Sequence, residues 1–471
     1  MSFFIFDMSL LVILVLVISI FLYKGRKNLQ QEGALILYRT SWGIKLINYV
    51  GAKYQKTLKF LSYISISLGY VLMTSIIFII VQTVYLYFTT PIASVIKAPP
   101  IMPLIPYFPK LFGLENIFPS FPVTSFIISL LIVATVHEFA HGIFARRYGI
   151  KIKSTGFAFF KYFPAIFGAF VEQNDKQMKS KKRFEQLAVL SAGVFANIIT
   201  AVIFFFILIS FFNYAFVPSG IEFDTYAYSI MPSENITSIN SILTDNPTIE
   251  EMLVILNGSR MGKIIANNES YVGVFGEIEK TGVVALYNDA PAINAKLPAV
   301  IQEINGIKIT NHEILEEELK KYSPGEKVVL KILEDEGIST KEIILDENPD
   351  KTGQAWLGIC FNSINSEGLI RKSILWVTSY KNPHTYYEPI HKDRDNFIKD
   401  LIWWIIIINI LVALMNMLPA WIFDGGMFLY LTIWSITGSE KTAKKIFSIS
   451  TWFILLLFIL LMTKWLFVFL F

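Results

Sequence analysis

Several runs of 18 or more residues in this chain carry neither Lys nor Arg, the length an α-helix needs to cross about 30 Å of hydrocarbon. Apolar patterning gives six candidate spans, at 3–23, 61–88, 124–146, 187–212, 401–420 and 446–463. Composition agrees: 54% of residues are hydrophobic and 17% charged, against about 45–50% apolar and about 25% charged in an ordinary soluble chain. A soluble globule is excluded, and the expected fold is a polytopic α-helical membrane protein of about six transmembrane helices. The single cysteine, Cys360, excludes an internal disulfide framework and a Cys-built zinc finger.

The distribution of the net charge of +4 sets the expected orientation. Segment 24–60 holds eight Lys and Arg residues and segment 146–183 holds ten, whereas 89–122 holds only Lys97 and Lys110. Basic loops stay on the cytosolic side, so both chain ends are expected outside the cell membrane. The first span carries Asp7 and no small-residue cleavage site, and Lys24, Arg26 and Lys27 follow it, which reads as an uncleaved anchor. The basic runs are headgroup and topology signals, and no nucleic-acid partner is expected.

Four segments organise the chain. Residues 1–122 hold N-terminal helices and an outer loop, 123–213 and 401–471 two halves of a membrane core, and 214–400 a polar, alternating insert on the outer side. The sequons at Asn235, Asn257 and Asn268 are compatible with that side. His312, His384 and His391 lie in the insert, where solvated surface positions are expected.

The third span contains His137, Glu138 and His141 as H-E-x-x-H. Helical spacing i, i+4 puts both imidazoles on one face, with Glu138 beside the first, placed to take a proton from a zinc-bound water. Burying one ionisable residue in a membrane helix costs at least about 2.5 kcal/mol, so three together demand a reason. Two histidines do not complete a catalytic zinc site. Asp424, just past Pro419 and followed by Gly425 and Gly426, offers the third ligand. His141 and Pro419 each lie about 27 Å down their helices from the outer ends, at about 1.5 Å per residue. Zn²⁺ with two neutral imidazoles and the carboxylates of Asp424 and Glu138 sums formally to zero, which a low-dielectric site tolerates.

Taken together, these residues resemble the site-2 protease family of intramembrane zinc metalloproteases, in its archaeal and bacterial form. The resemblance rests on His137 to His141, on Gly168-Ala169-Phe170-Val171-Glu172, on Ser191-Ala192-Gly193 through Asn197, and on Asn416-Met417-Leu418-Pro419 leading to Asp424-Gly425. It spans about 200 residues in four core helices. Trp421 stands where the family usually has a second proline, and Phe423 where it has leucine. The resemblance implies one zinc per chain held by His137, His141 and Asp424, and Glu138 as the catalytic residue. It also implies Asn416, Asn197, Gly168 and Phe170 as substrate-contacting residues.

Segment 154–173 is too rich in Gly and Phe for a helix and too apolar for a solvated loop. In the family it resembles a re-entrant β-hairpin, whose edge can capture a substrate in extended form by strand addition. Residues 281–361 resemble a PDZ domain, with Val283 to Tyr287 as its first strand and Glu313 to Leu319 as its helix. Such a domain binds peptide ends or edge strands.

The resulting expectation is a membrane zinc endopeptidase that cleaves single-span membrane proteins within the bilayer, by regulated intramembrane proteolysis. A zinc peptidase of the prenyl-protein processing type would take a third Glu ligand in place of Asp424-Gly425. An inactive, binding-only relative would have no need of Glu138, and a zinc transporter would want acidic or His residues in several spans.

Overall fold

The computed structural model describes residues 3–26, 29–90, 99–102, 104–115, 118–162, 167–278, 282–334, 337–361 and 380–470. The chain divides into two compact units, Met1–Phe212 with Asn396–Phe471, and Asn213–Asp395.

In the first unit the apolar runs form helices α1 (Phe3–Lys24), α3 (Gln55–Thr89), α4 (Val123–Arg147), α5 (Arg183–Ala215), α6 (Lys392–Asn416) and α8 (Glu440–Leu470). These six are long and apolar enough to cross a membrane, which fits a multi-pass membrane protein. Most outrun the expected spans because Lys, Arg and polar residues continue the helices at the ends, where long side chains can keep their charges in water. The exception is α6, which was expected to reach 420 and stops at Asn416. Its last bonds tighten, from Met417 N–H to the Leu414 carbonyl and from Leu418 N–H to Met415, ahead of Pro419, because the residue before a proline is disfavoured in the helical conformation.

Among the described residues of this unit, two helices of ten or more residues fall outside the six spans, beside the short helices Phe108–Leu111 and Asp175–Ser180. Helix α2 (Ile44–Lys53) buries Ile47 and Gly51 and leaves Leu46 and Tyr49 exposed beside its lysines. Helix α7 (Asp424–Thr437) has 14 residues, about 21 Å, too short to span. A turn over 417–423 folds back on its start. Any side chain at Gly425 would collide with the Met417 main chain, and any at Gly426 with the Ala420 carbonyl.

A four-stranded antiparallel sheet joins β1 (Leu29–Glu32), β2 (Leu35–Thr40), β3 (Ile152–Phe160) and β4 (Phe167–Gln173) in that order. The expected hairpin over 154–173 is its β3–β4 half, and the tip at 163–166 lies outside the described residues. The β1–β2 half was not anticipated as part of this sheet, because its join to β3 pairs Leu35 with Phe160 and Thr40 with Thr155, a long-range contact that leaves no local pattern. Glu172 links the halves, meeting Arg39 of β2 at 3.3 Å and accepting from the Ser154 hydroxyl at 2.7 Å.

The second unit holds two larger sheets. One orders its strands Tyr228–Pro232, Val283–Asn288, Glu269–Ile278, Met261–Ala266, Ile236–Ile239 and Ile242–Leu243 around a core that includes Ile239, Met252, Ile264 and Leu286. The other runs Gly337–Ile344, Lys327–Glu334, Val300–Ile304, Phe216–Glu222 and Thr385–Pro389. It packs with helix His312–Leu319 around a core that includes Ile301, Leu315, Leu330 and Leu357. The assignment of Val283 to Tyr287 to the 281–361 unit is therefore corrected, since that strand pairs with Tyr228–Pro232 and Glu269–Ile278. Strands from the ends of the insert replace it, Phe216 facing Pro389. Alternation identifies a strand's buried face but not its partner.

Candidate metal centre

The apolar face of α4 delivers His137 and His141 one turn apart, and the folded-back turn after α6 delivers Asp424 at the start of α7. The two Nε2 atoms stand 3.0 Å apart, and each lies 3.3 Å from Oδ2 of Asp424. Ligand atoms about 2.0–2.2 Å from a tetrahedral zinc lie about 3.3–3.6 Å from one another, so the two sides to Asp424 match tetrahedral corners and the side between the imidazoles is shorter by about 0.3 Å. His137, His141 and Asp424 thus form a group that could hold a metal ion with one atom from each side chain.

Helix α5 supports both rings from one face, at positions 189, 193 and 197, each one turn apart. The Nδ1–H of His141 donates to the Val189 carbonyl at 2.7 Å. A helical carbonyl is normally screened by the side chain one turn on, and Gly193 occupies that place. A methyl group at Gly193 would lie 2.5 Å from His141 Nε2 and 2.6 Å from His137 Nε2. The space against both ligand atoms therefore exists only because residue 193 has no side chain.

The third position explains the His137 tautomer. The Asn197 amide sits 3.1 Å from His137 Nδ1. A ligating Nε2 keeps its lone pair, so Nδ1 carries the proton and requires an acceptor. As placed, the amide nitrogen stands at that distance and the buried Asn197 Oδ1 has no partner, so turning the amide over puts the oxygen on the Nδ1–H as its acceptor. Asn197 is completely buried, so it stands behind His137 and not where a substrate would contact it. Sequence reasoning placed Asn197 at the site and missed the roles of Gly193 and Val189. Their signal was the glycine one turn before an asparagine in an otherwise apolar helix.

Glu138 stays outside the triangle. Its Oε2 accepts from the Val171 N–H of β4 at 3.1 Å. Gly142, one turn on, brings α4 close to the same strand, since a methyl there would lie 3.0 Å from Val171 Cγ1. Asn416 is half-buried at the end of α6, and its side chain carries no hydrogen bond among the described residues. In β4, Gly168 and Phe170 face Ala158 and Gly156 of β3, and the Phe170 ring lies over Gly156.

The donor set of two imidazoles and one carboxylate suits zinc. Comparison with known proteins agrees. An uncharacterized protein of the archaeon Methanocaldococcus jannaschii is 26% identical over 422 residues, covering 88% of this chain and 83% of that protein. The model of peptidase family M50 matches residues 125–460. That match takes in all of the triangle, Glu138 and the supporting face of α5, and the chain is accordingly a member of peptidase family M50, the site-2 protease family of zinc-dependent membrane metalloproteases.

Proposed function

We propose that this protein is an intramembrane endopeptidase that hydrolyses a peptide bond of single-span membrane proteins near the cytosolic leaflet. The observation that carries this reading is the Nε2, Nε2, Oδ2 triangle of His137, His141 and Asp424, built at the end of a helix apolar enough to span. His137, His141 and Asp424 would hold zinc, which would supply Lewis-acid activation of water and of a carbonyl oxygen at this point. Val189 and Asn197 fix the tautomers of the two histidines. Glu138, adjacent in sequence and turned toward β4, accepts the proton of the attacking water and returns it to the leaving amine.

A peptide bond within a helix has its carbonyl hydrogen-bonded, so the substrate segment must be extended before attack. The β3–β4 hairpin, as a re-entrant element beside α4, offers a strand edge for that purpose. Asn416 is free to bind the substrate main chain. In this reading both chain ends and the insert are extracytosolic, and the basic loops face the cytosol, as the charge asymmetry requires. The sheet formed from 216–222, 300–344 and 385–389 acts as a PDZ-like module. A cavity of about 340 Å³ between helix His312–Leu319 and the segment Lys351–Phe361 would take a peptide end, with Lys351 at its wall.

Purified protein in bilayers, incubated with candidate single-span proteins, should cut within the apolar segment, with mass spectrometry locating the new ends. A zinc chelator should stop cleavage. Glu138→Gln should retain one zinc per chain and lose turnover, because an amide does not take the proton. Wild-type cleavage by that variant would show that another base operates.

A further inference from the structure

The contact between Glu138 and Val171 joins the proposed base to the strand edge on which a substrate would lie. In an antiparallel ladder, facing residues alternate between pairs that exchange both main-chain hydrogen bonds and pairs that exchange none. Val171 faces Thr155 of β3, yet its N–H is directed at Glu138 Oε2, 3.1 Å away. The Thr155 and Val171 pair is therefore a non-bonded one. Alternation then turns the N–H and C=O of Ala169, which faces Phe157, to the same free edge. It turns the main-chain groups of Phe170 and Gly168 toward β3. An added strand would accordingly pair with Ala169 and Val171, not with the expected Gly168 and Phe170.

We propose that Glu138 is a latch on this edge. Its carboxylate occupies the Val171 N–H until an extended chain adds to β4 and accepts from that N–H in its place, which frees Glu138 for the attacking water. The selected substrate class is then defined by backbone. Segments that unwind and present a carbonyl opposite Val171 release the base, whereas an intact helix, whose carbonyls are already bonded within it, does not. The device would keep an active site in a membrane full of helices from engaging proteins that merely drift past. Competition is direct, because both acceptors need the same N–H, and a carboxylate is the stronger acceptor. Displacement is therefore expected to cost a strand ligand about tenfold in affinity.

This inference rests on the proposed role of Glu138, and its test reads quantities other than turnover. Amide exchange at Val171 is measured by mass spectrometry in zinc-loaded wild type, Glu138→Gln and Glu138→Ala. Zinc content and unfolding midpoint verify that each is folded. The wild-type amide should be protected, the Gln variant should keep most of that protection through its remaining oxygen, and the Ala variant should exchange at least about tenfold faster. Binding is measured with a blocked apolar tetrapeptide, Ac-Leu-Phe-Val-Phe-NH2, and its backbone N-methylated counterpart. The plain peptide should bind Glu138→Ala about tenfold more tightly than wild type, and N-methylation should abolish binding to all three proteins. Equal exchange in wild type and Glu138→Ala would overturn the latch. Faster exchange with unchanged peptide affinity would show a hydrogen bond that does not compete with strand addition, and would overturn the proposal as well. Turnover by Glu138→Gln would instead remove the base assignment while leaving the exchange result intact.

Discussion

The carboxylate of Asp7 accepts hydrogen bonds from both the main-chain N–H and the hydroxyl of Thr124, at 3.0 and 2.5 Å. It also accepts from the Val123 N–H at 2.7 Å and from the Tyr107 hydroxyl at 2.5 Å. Val123 and Thr124 are the first two residues of α4, so a residue of α1 caps the helix that carries both histidines. Pro122, the residue in the cap position, has no side-chain oxygen to do so. Burial, and then the adjacent Asp7 carboxylate, push the Tyr107 phenol above its usual range, so it remains a donor.

Asp7→Ala strands several buried donors at the start of α4. The expected loss is about 2–3 kcal/mol of stability, read as a lower unfolding midpoint in detergent. Asp7→Asn should recover only part, since its amide group presents donors to donors. An unchanged midpoint in Asp7→Ala would remove this link between α1 and α4.

The supporting face of α5 gives a graded series. His137→Ala, His141→Ala and Asp424→Ala should each lose the single zinc by elemental analysis. Gly193→Val should do the same with all three ligands intact, because its side chain fills the space against both Nε2 atoms. Asn197→Leu removes the acceptor for His137 and should weaken zinc affinity about 10- to 100-fold in chelator competition, with Asn197→Asp close to wild type. Full zinc in Asp424→Ala would refute the ligand set.

Glu172 supplies a pH dependence outside the spanning helices. The Ser154 hydroxyl, and beyond it Arg39 and Lys153, hold its carboxyl below the ordinary value of about 4.5, against an opposing effect of burial. A depressed folded-state value means the stabilisation is fully present above about pH 4.5 and is lost as pH falls through the folded value. Wild type should therefore be more stable than Glu172→Gln at pH 6, with the gap narrowing as the pH is lowered below about 4.5. A gap that does not narrow on acidification would assign the difference to packing.

Topology is open to labelling in a Cys360→Ser background. Single cysteines within 24–58 or 176–182 should react with a membrane-impermeant reagent only from the cytosolic side, and those within 290–360 only from outside. The charge asymmetry of the loops motivates this expectation. Reversed labelling would move the metal centre to the outer leaflet.

Apolar run length, the H-E-x-x-H spacing and the Asp-Gly pair after a proline were sufficient to anticipate six helices and a candidate ligand set of His137, His141 and Asp424. The reason is that hydrocarbon thickness and helical period act locally on sequence. Only the tertiary structure decided what surrounds the triangle. Val189, Gly193 and Asn197 matter through a ring or a carbonyl on a helix some 50 residues away, and no periodicity records that contact. The same holds for Asp7, legible as a charge in an apolar run but not as the cap of α4. It holds for the β1–β2 hairpin beside β3 and for Val283–Asn288, whose sheet partners were set by long-range pairing. The orientation of the Val171 N–H followed from register, and register is a property of two strands together, which neither sequence carries alone.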